Sequence, residues 1–295
     1  MVASKDSLNV PGSGAGCAPD ITGEGVEFVL RDVRPEGYHI LRLNRSSKKN
    51  ALNRAMYSAL VAGLQAGEDD PSIAAHVLLG QPGVFSAGHD IADFATAVLK
   101  AGAQGVSGRD LADSVLSASV LAFIRLLPRL NKPLIAGVDG LAVGVGTTVL
   151  FHCDLVLATQ RSRFSTPFVD LGLVPEAGSS LLGPARLGYL GAFELLVAGR
   201  VVDAEWMLQA GAVNTIVASD DLETVACDAA HQLAAKPREA MLASKLLMQA
   251  DRQTLIDQTE REIDVFAKHL ASSEAMSAFQ AFLGVQASAD EQARG

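Results

Sequence analysis

Two glycine-bearing segments could do chemistry through their main chain. Val84-Phe-Ser-Ala-Gly-His-Asp90 and Gly140-Leu-Ala-Val-Gly-Val-Gly146 each follow a short apolar run. Glycine lets a chain turn sharply and lets another group come close to the backbone. Such turns leave N–H groups that need partners. Two of them at strand ends could direct two N–H donors at one point. That arrangement stabilises oxygen charge as it develops on a thioester enolate. Spacing alone also allows two tight turns that serve packing only.

Familiar motifs do not account for these segments. No Lys-Ser/Thr follows residues 140–146, and Val149 stands where a dinucleotide fingerprint needs its third glycine. Residues 83–88 hold one residue too many for a nucleophile elbow. No HExxH or paired-histidine pattern is present, so no metal site is expected.

The elements that must position these turns follow from periodicity. Residues 26–31 and 39–43 read as strands around a Pro-Glu-Gly turn. Residues 53–67 carry helical spacing through Met56, Leu60 and Leu64. A strand is expected at 75–79, helices at 91–100 and 111–127, and a strand at 133–138. A short apolar helix at 147–152 and a strand at 155–159 follow. Strands alternating with helices argue α/β. Beyond residue 179 the pattern is helical (221–235, 238–250, 253–270 and 272–283), with one strand near 213–217. Residues 1–22, rich in Gly, Ser, Pro and Ala, read as a flexible leader. The core is placed at 23–215 and a helical C-terminal region at 216–295.

Composition excludes several functions. With 49% hydrophobic and 19% charged residues, the 295-residue chain is of globular type. Its net charge of −9, without a basic block, argues against nucleic acid. The most apolar stretch, 133–158, is broken by Asp139, His152 and Asp154, so no membrane span is expected. Cys17, Cys153 and Cys227 are too scattered for a disulfide framework and read as reduced thiols. The N-terminus has no apolar signal region, and a cytoplasmic location is expected.

Several blocks in order resemble the crotonase superfamily, the enoyl-CoA hydratase/isomerase family. They are residues 43–52 (LNRSSKKNAL), 85–90 (FSAGHD), 132–140 (KPLIAGVDG), 142–146 (AVGVG), Cys153-Asp154, 168–180 (FVDLGLVPEAGSS), 196–200 (LVAGR) and 210–214 (AGAVN). The resemblance spans roughly 26–284. It implies an α/β fold built as a spiral of ββα units with a helical C-terminal region. It implies an acyl-CoA thioester as substrate, with CoA part of that substrate and no other cofactor. It also implies a homotrimer or a dimer of trimers.

Position by position, the resemblance makes the backbone N–H groups of His89 and Val145 the oxyanion hole. The His89 side chain either lines the acyl pocket or sits at its rim. The two glutamates of the family's hydratases correspond to Thr148 and Phe168, neither of which ionises. Glu176 stands where the Δ3,Δ2-enoyl-CoA isomerases of the family carry their single catalytic glutamate. The alternative for Glu176 is a helix start, where an acid gains roughly 0.3–1 kcal/mol from the helix dipole. Asp170 is a fallback acid in a structural-looking context. Lys48 and Lys49 border the expected CoA site and are alternatively plain surface lysines. Ala51, Leu52, Ser86, Ala87, Asp90, Ile91, Thr148 and Phe168 complete the expected substrate contacts. Phe279 and Phe282 resemble aromatics that cover the adenine from a neighbouring subunit. The favoured activity is Δ3-to-Δ2 isomerisation of an enoyl-CoA. The rivals are hydration or another reaction of the family, and non-catalytic binding of acyl-CoA.

Overall fold

The computed structural model describes residues 27–103, 116–249 and 251–292. The expected leader, and residues 111–115 of one expected helix, lie outside them. The chain opens with β1 (Val29–Arg34) and β2 (Tyr38–Leu43), an antiparallel pair whose first strand starts three residues later than expected. Helix α1 (Arg54–Asp69) is capped by Asn53, whose side chain accepts from the Met56 N–H at 3.0 Å. Met56, Leu60 and Leu64 face the core as their spacing requires.

Next come β3 (Ala75–Leu79), β4 (Val84–Ser86), α2 (Ile91–Ala103), α3 (Ala118–Leu126), β5 (Leu134–Val138) and β6 (Leu141–Val143). A one-turn helix α4 (Val145–Thr148) tightens into a 3-10 turn at Val149–His152. Then follow β7 (Leu155–Thr159), β8 (Arg163–Ser165), α5 (Ser179–Leu196), β9 (Val202–Asp203), α6 (Ala204–Gln209) and β10 (Thr215–Val217). Four helices close the described chain: α7 (Leu222–Ala234), α8 (Arg238–Met248), α9 (Arg252–Leu270) and α10 (Ser273–Gln292).

The strands sort into two sheets. One has six strands in the order β1-β2-β3-β5-β7-β10, the other four in the order β4-β6-β8-β9. Each long strand of the middle of the chain (β3, β5, β7) joins the first sheet, and the short strand after it (β4, β6, β8) joins the second. This alternation is the spiral of ββα units. It corrects the reading of residues 140–146 as turn alone, since Leu141–Val143 forms a strand first.

A large apolar core lies between the sheets, α1 and α3, and includes Tyr57, Phe85, Phe123 and Phe164. On the opposite face of the six-stranded sheet, Leu222, Ala226 and Ala230 of α7 pack on Ile40, Val77 and Leu79. The boundary expected after residue 215 therefore falls inside β10, and α7 covers the sheet. Helical periodicity looks the same whether a helix rests on a sheet or on other helices. Among the described residues no helix is long and apolar enough to cross a membrane.

The joint between the sheets leaves no room for a side chain at Gly140. There φ is +79°, and an added Cβ would stand 1.9 Å from the Gly83 carbonyl oxygen. Gly140→Ala is therefore expected to lower stability by more than about 2 kcal/mol, because both backbone strain and a main-chain clash must be relieved. Thermal unfolding followed by circular dichroism measures it, and an unchanged midpoint would contradict the joint.

Candidate active site

The site begins where β4 and β6 run parallel, with Val84 opposite Leu141 and Ser86 opposite Ala142. The glycine turns leave these strands side by side. At Gly88, φ is +83°, and a Cβ would meet the Val143 carbonyl oxygen at 2.5 Å. Only a glycine lets the first turn lie that close to the second. Val145 is the first residue of α4, where N–H groups have no carbonyl within their own helix.

His89 is aimed differently. Leu52 donates its N–H to the Gly88 carbonyl at 2.7 Å and accepts from the Asp90 N–H at 3.1 Å. In a parallel bridge the residue between those two partners turns its own N–H to the opposite side. The His89 N–H is thus directed away from Leu52.

His89, Val145 and Glu176 line one cavity that opens to solvent. Ala87, Ile91 and Phe168, also expected at the site, line it too. Its remaining walls are mostly apolar: Phe94 from α2, Val120 and Ile124 from α3, and Ile263 and Phe266 from α9.

Glu176 is buried, with 7% of its surface exposed. Thr148 donates its hydroxyl to Oε1 at 2.5 Å. Among the described residues Oε2 is buried without a hydrogen-bond partner. Burial raises the carboxyl to about 7, the Thr148 hydrogen bond opposes the rise, and the nearby Glu262 adds to it. Ala177 follows with φ +58°, a left-handed conformation that costs a non-glycine residue about 1–2 kcal/mol. His152 holds it there by donating from Nε2 to the Ala177 carbonyl at 2.6 Å. Burial lowers His152 to about 4, so it is neutral at pH 7.

The other expected contacts divide into frame and surface. Thr148 stands behind the acid. The Ser86 hydroxyl donates to the Asn50 carbonyl at 2.9 Å and accepts from the Gly88 N–H at 3.1 Å, so it builds the turn. Asp90 pairs with Arg45 at 2.6 Å, and Arg45 also donates to the Ala51 carbonyl at 2.8 Å. Lys48 and Lys49 are exposed, and the Lys49 carbonyl accepts from the Ala87 N–H at 2.9 Å. Asp170 is exposed beside Gly199. Phe282 lies at the surface. Phe279 departs from the expectation of an adenine cover: it is fully buried in its own chain, edge-on to Phe94 at 5.7 Å. No face of it is open to a nucleotide held by another subunit.

Sequence reasoning missed three supports. Tyr57 of α1 lines the cavity, with its hydroxyl 3.1 Å from His89 Nδ1. Burial lowers His89 to about 4, so its ring is neutral at pH 7. Buried Asn50 donates to the Val84 and Phe85 carbonyls at 3.2 and 3.0 Å and fixes β4. Glu262 grips the loop after Glu176, accepting from the Gly178 N–H at 2.6 Å.

Comparisons with known proteins point to one family. A family model described as enoyl-CoA hydratase/isomerase matches residues 34–288. The 2,3-dehydroadipyl-CoA hydratase of Escherichia coli (strain K12) is 34% identical over 216 residues, 73% of this chain and 78% of that protein. Enoyl-CoA delta isomerase 2 of Rattus norvegicus is 29% identical over 244 residues, 82% of this chain and 60% of that one. Among solved structures, OdaA of Pseudomonas aeruginosa is similar with a TM-score of 0.78 at 36% identity, covering 87% of this chain and 98% of that one.

The buried carboxyl also makes a stability prediction. In the folded chain Glu176 holds its proton up to about 7, against an ordinary value of 4.5. Below the lower value both folded and unfolded chains are protonated and there is no penalty. Above the higher value both are ionised, and the folded chain carries a buried charge. Stability therefore falls as pH rises from 4.5 through about 7. Glu176→Gln is expected to raise the melting temperature by several degrees at pH 8 and to leave it nearly unchanged at pH 4.5. Melting curves at the two pH values check this, and an equal shift at both would count against a buried ionisable group.

Proposed function

The chain belongs to the enoyl-CoA hydratase/isomerase family, and from that premise we propose that it moves the double bond of a 3-enoyl-CoA to position 2. Glu176 takes a proton from C2 of the acyl chain. Negative charge passes to the thioester oxygen, held by the N–H groups of His89 and Val145. The electrons return through the chain, C2 and C3 become doubly bonded, and Glu176 delivers its proton to C4. Base and acid are one group, so no water, metal or redox cofactor enters the step. CoA arrives and leaves as part of the thioester.

The observation that carries this reading is the single carboxyl that the described residues bring to the cavity. Glu176 lines the cavity shared by both oxyanion residues, and one of its oxygens has no protein partner. A carboxyl near 7 is matched to taking and returning a proton at neutral pH. Hydration, suggested by the name of the Escherichia coli relative, would need acids where the chain has Thr148 and Phe168. Phe168 instead puts an apolar ring on the cavity wall. A trimer, as the resemblance implies, would cover the apolar face of α5, where Tyr189 and Leu190 are 70% and 79% exposed.

The test uses two substrates, a 3-enoyl-CoA and a 2-enoyl-CoA, with the chain and its Glu176→Gln variant. The parent is expected to isomerise the first faster than it hydrates the second. The variant should lose on the order of 10²–10⁴-fold in kcat. The parent rate should fall as pH drops through about 7, because the base is then protonated. Faster hydration of the 2-enoyl-CoA would sink the proposal.

A further inference from the structure

The loop that carries Glu176 is gripped from two sides. On one side is His152, bonded to the Ala177 carbonyl. On the other is Glu262 of α9, only 5% exposed. Its Oε2 accepts from the Gly178 N–H at 2.6 Å, and its Oε1 accepts from the Ser180 N–H at 2.9 Å and from the Ser180 hydroxyl. We propose that Glu262 is a positioning residue for Glu176: by binding the residues just after the base, it fixes where the catalytic carboxyl stands. The inference rests on Glu176 being the base.

Capping alone does not account for this contact. Glu262 does meet unsatisfied N–H groups at the start of α5, as a capping acid would. It reaches them, however, from a separate helix that lies flush against the loop. A Cβ on Gly178 would stand 2.6 Å from Leu255 Cδ1 of the same helix. Ala177 sits between base and clamp in a left-handed conformation, which persists only where the surroundings hold it. Both carboxylate oxygens are used, so an amide could serve only one of the two N–H groups. The next turn of α9 supplies Ile263 and Phe266 to the acyl cavity, so one helix forms both wall and clamp.

The clamp also acts through charge. Among the described residues, the Thr148 hydroxyl from α4, the Tyr57 phenol from α1 and Glu262 act on or near Glu176, and the neutral His89 ring just before α2 lines the same cavity. Glu262 alone among these is an acid; burial raises its own carboxyl, the bonds from Ser180 and Gly178 oppose that rise, and in its ionised form it disfavours a second charge on Glu176.

The test follows Glu176 directly. Protein labelled with 13C at glutamate carboxyls is titrated by NMR, and the Glu176 signal is assigned by its loss in Glu176→Gln. The kcat and KM of the parent and of Glu262→Gln are measured across pH with a 3-enoyl-CoA. In Glu262→Gln the midpoint of Glu176 should fall by roughly half a unit or more. The acid limb of kcat should move with it. The kcat plateau should drop on the order of 10–100-fold, with KM within about twofold. A midpoint that stays in place, or a kcat plateau equal to the parent's, overturns the proposal. If the amide variant does not fold, Ser180→Ala decides: it removes one donor and keeps the charge, so kcat should fall without a change of midpoint, and an unchanged kcat overturns the clamp. Should Glu176→Gln retain full turnover, the proposed function fails, while the NMR midpoint still reports whether Glu262 acts on Glu176.

Discussion

Parallel pairing of β4 with β6 is the constraint from which the site follows. Two strands three residues long cannot contribute much stability, yet they bring two turns into contact. Gly88 presses on the Val143 carbonyl, and Gly146 comes against Ser86. Main-chain donors placed this way are set by the fold, and side chains at the same positions are free to vary. The oxyanion hole proposed at His89 and Val145 therefore asks nothing of their side chains. Ser86 and Asn50 then tie the first turn to the segment before α1, so the frame is held from three directions.

Against that fixed frame, the electrostatics of Glu176 are a balance of opposed effects. Burial in an apolar hollow favours the neutral acid, and Glu262 pushes the same way. The Thr148 hydroxyl favours the ionised form. The outcome near 7 leaves the group able both to take and to give a proton. Thr148 has a second effect, because its bond to Oε1 orients the carboxyl and leaves Oε2 as the oxygen that the proposed proton transfer would use. Tyr57 and His89 add neutral polar groups to the wall beside Glu176.

Much of the frame could be read in the sequence, and the reason differs for each part. The strand Ala75–Leu79 is a short apolar run interrupted by His76 and followed by Gly80-Gln-Pro-Gly83, and its limits are those expected. Helix α1 announced itself through Met56, Leu60 and Leu64. The strands of the second sheet, two or three residues long, are too short to show any period, and β6 was hidden inside a glycine-rich stretch. Glu176 was found only through the resemblance, since Pro-Glu before a helix is also an ordinary helix start. Tyr57 lay in a periodic helix as one more core aromatic. Glu262, amid the acids and bases of residues 257–264, has the local pattern of an exposed helix face. Its burial depends on α5, more than sixty residues earlier, and no local signal reports that. Phe279 failed for the converse reason: an aromatic on an amphipathic helix does not say whether it packs inward or waits for a partner.

The same division separates reaction from substrate. Chemistry depends on which side chains stand at residues 148, 168 and 176, each held at a fixed place relative to the two turns. The shape of the hollow depends on residues such as Phe94, Val120, Ile124 and Phe266, which come from helices outside the motif segments. A change at one of the first positions alters the acid–base groups without moving the donors. A change at the second alters the shape of the hollow without touching the acid. Relatives whose names include a hydratase and an isomerase can therefore share this backbone. In the proposed reaction, a hydroxyl at Thr148 and a phenyl ring at Phe168, with the acid at Glu176, leave proton transfer to one carboxyl among the described residues.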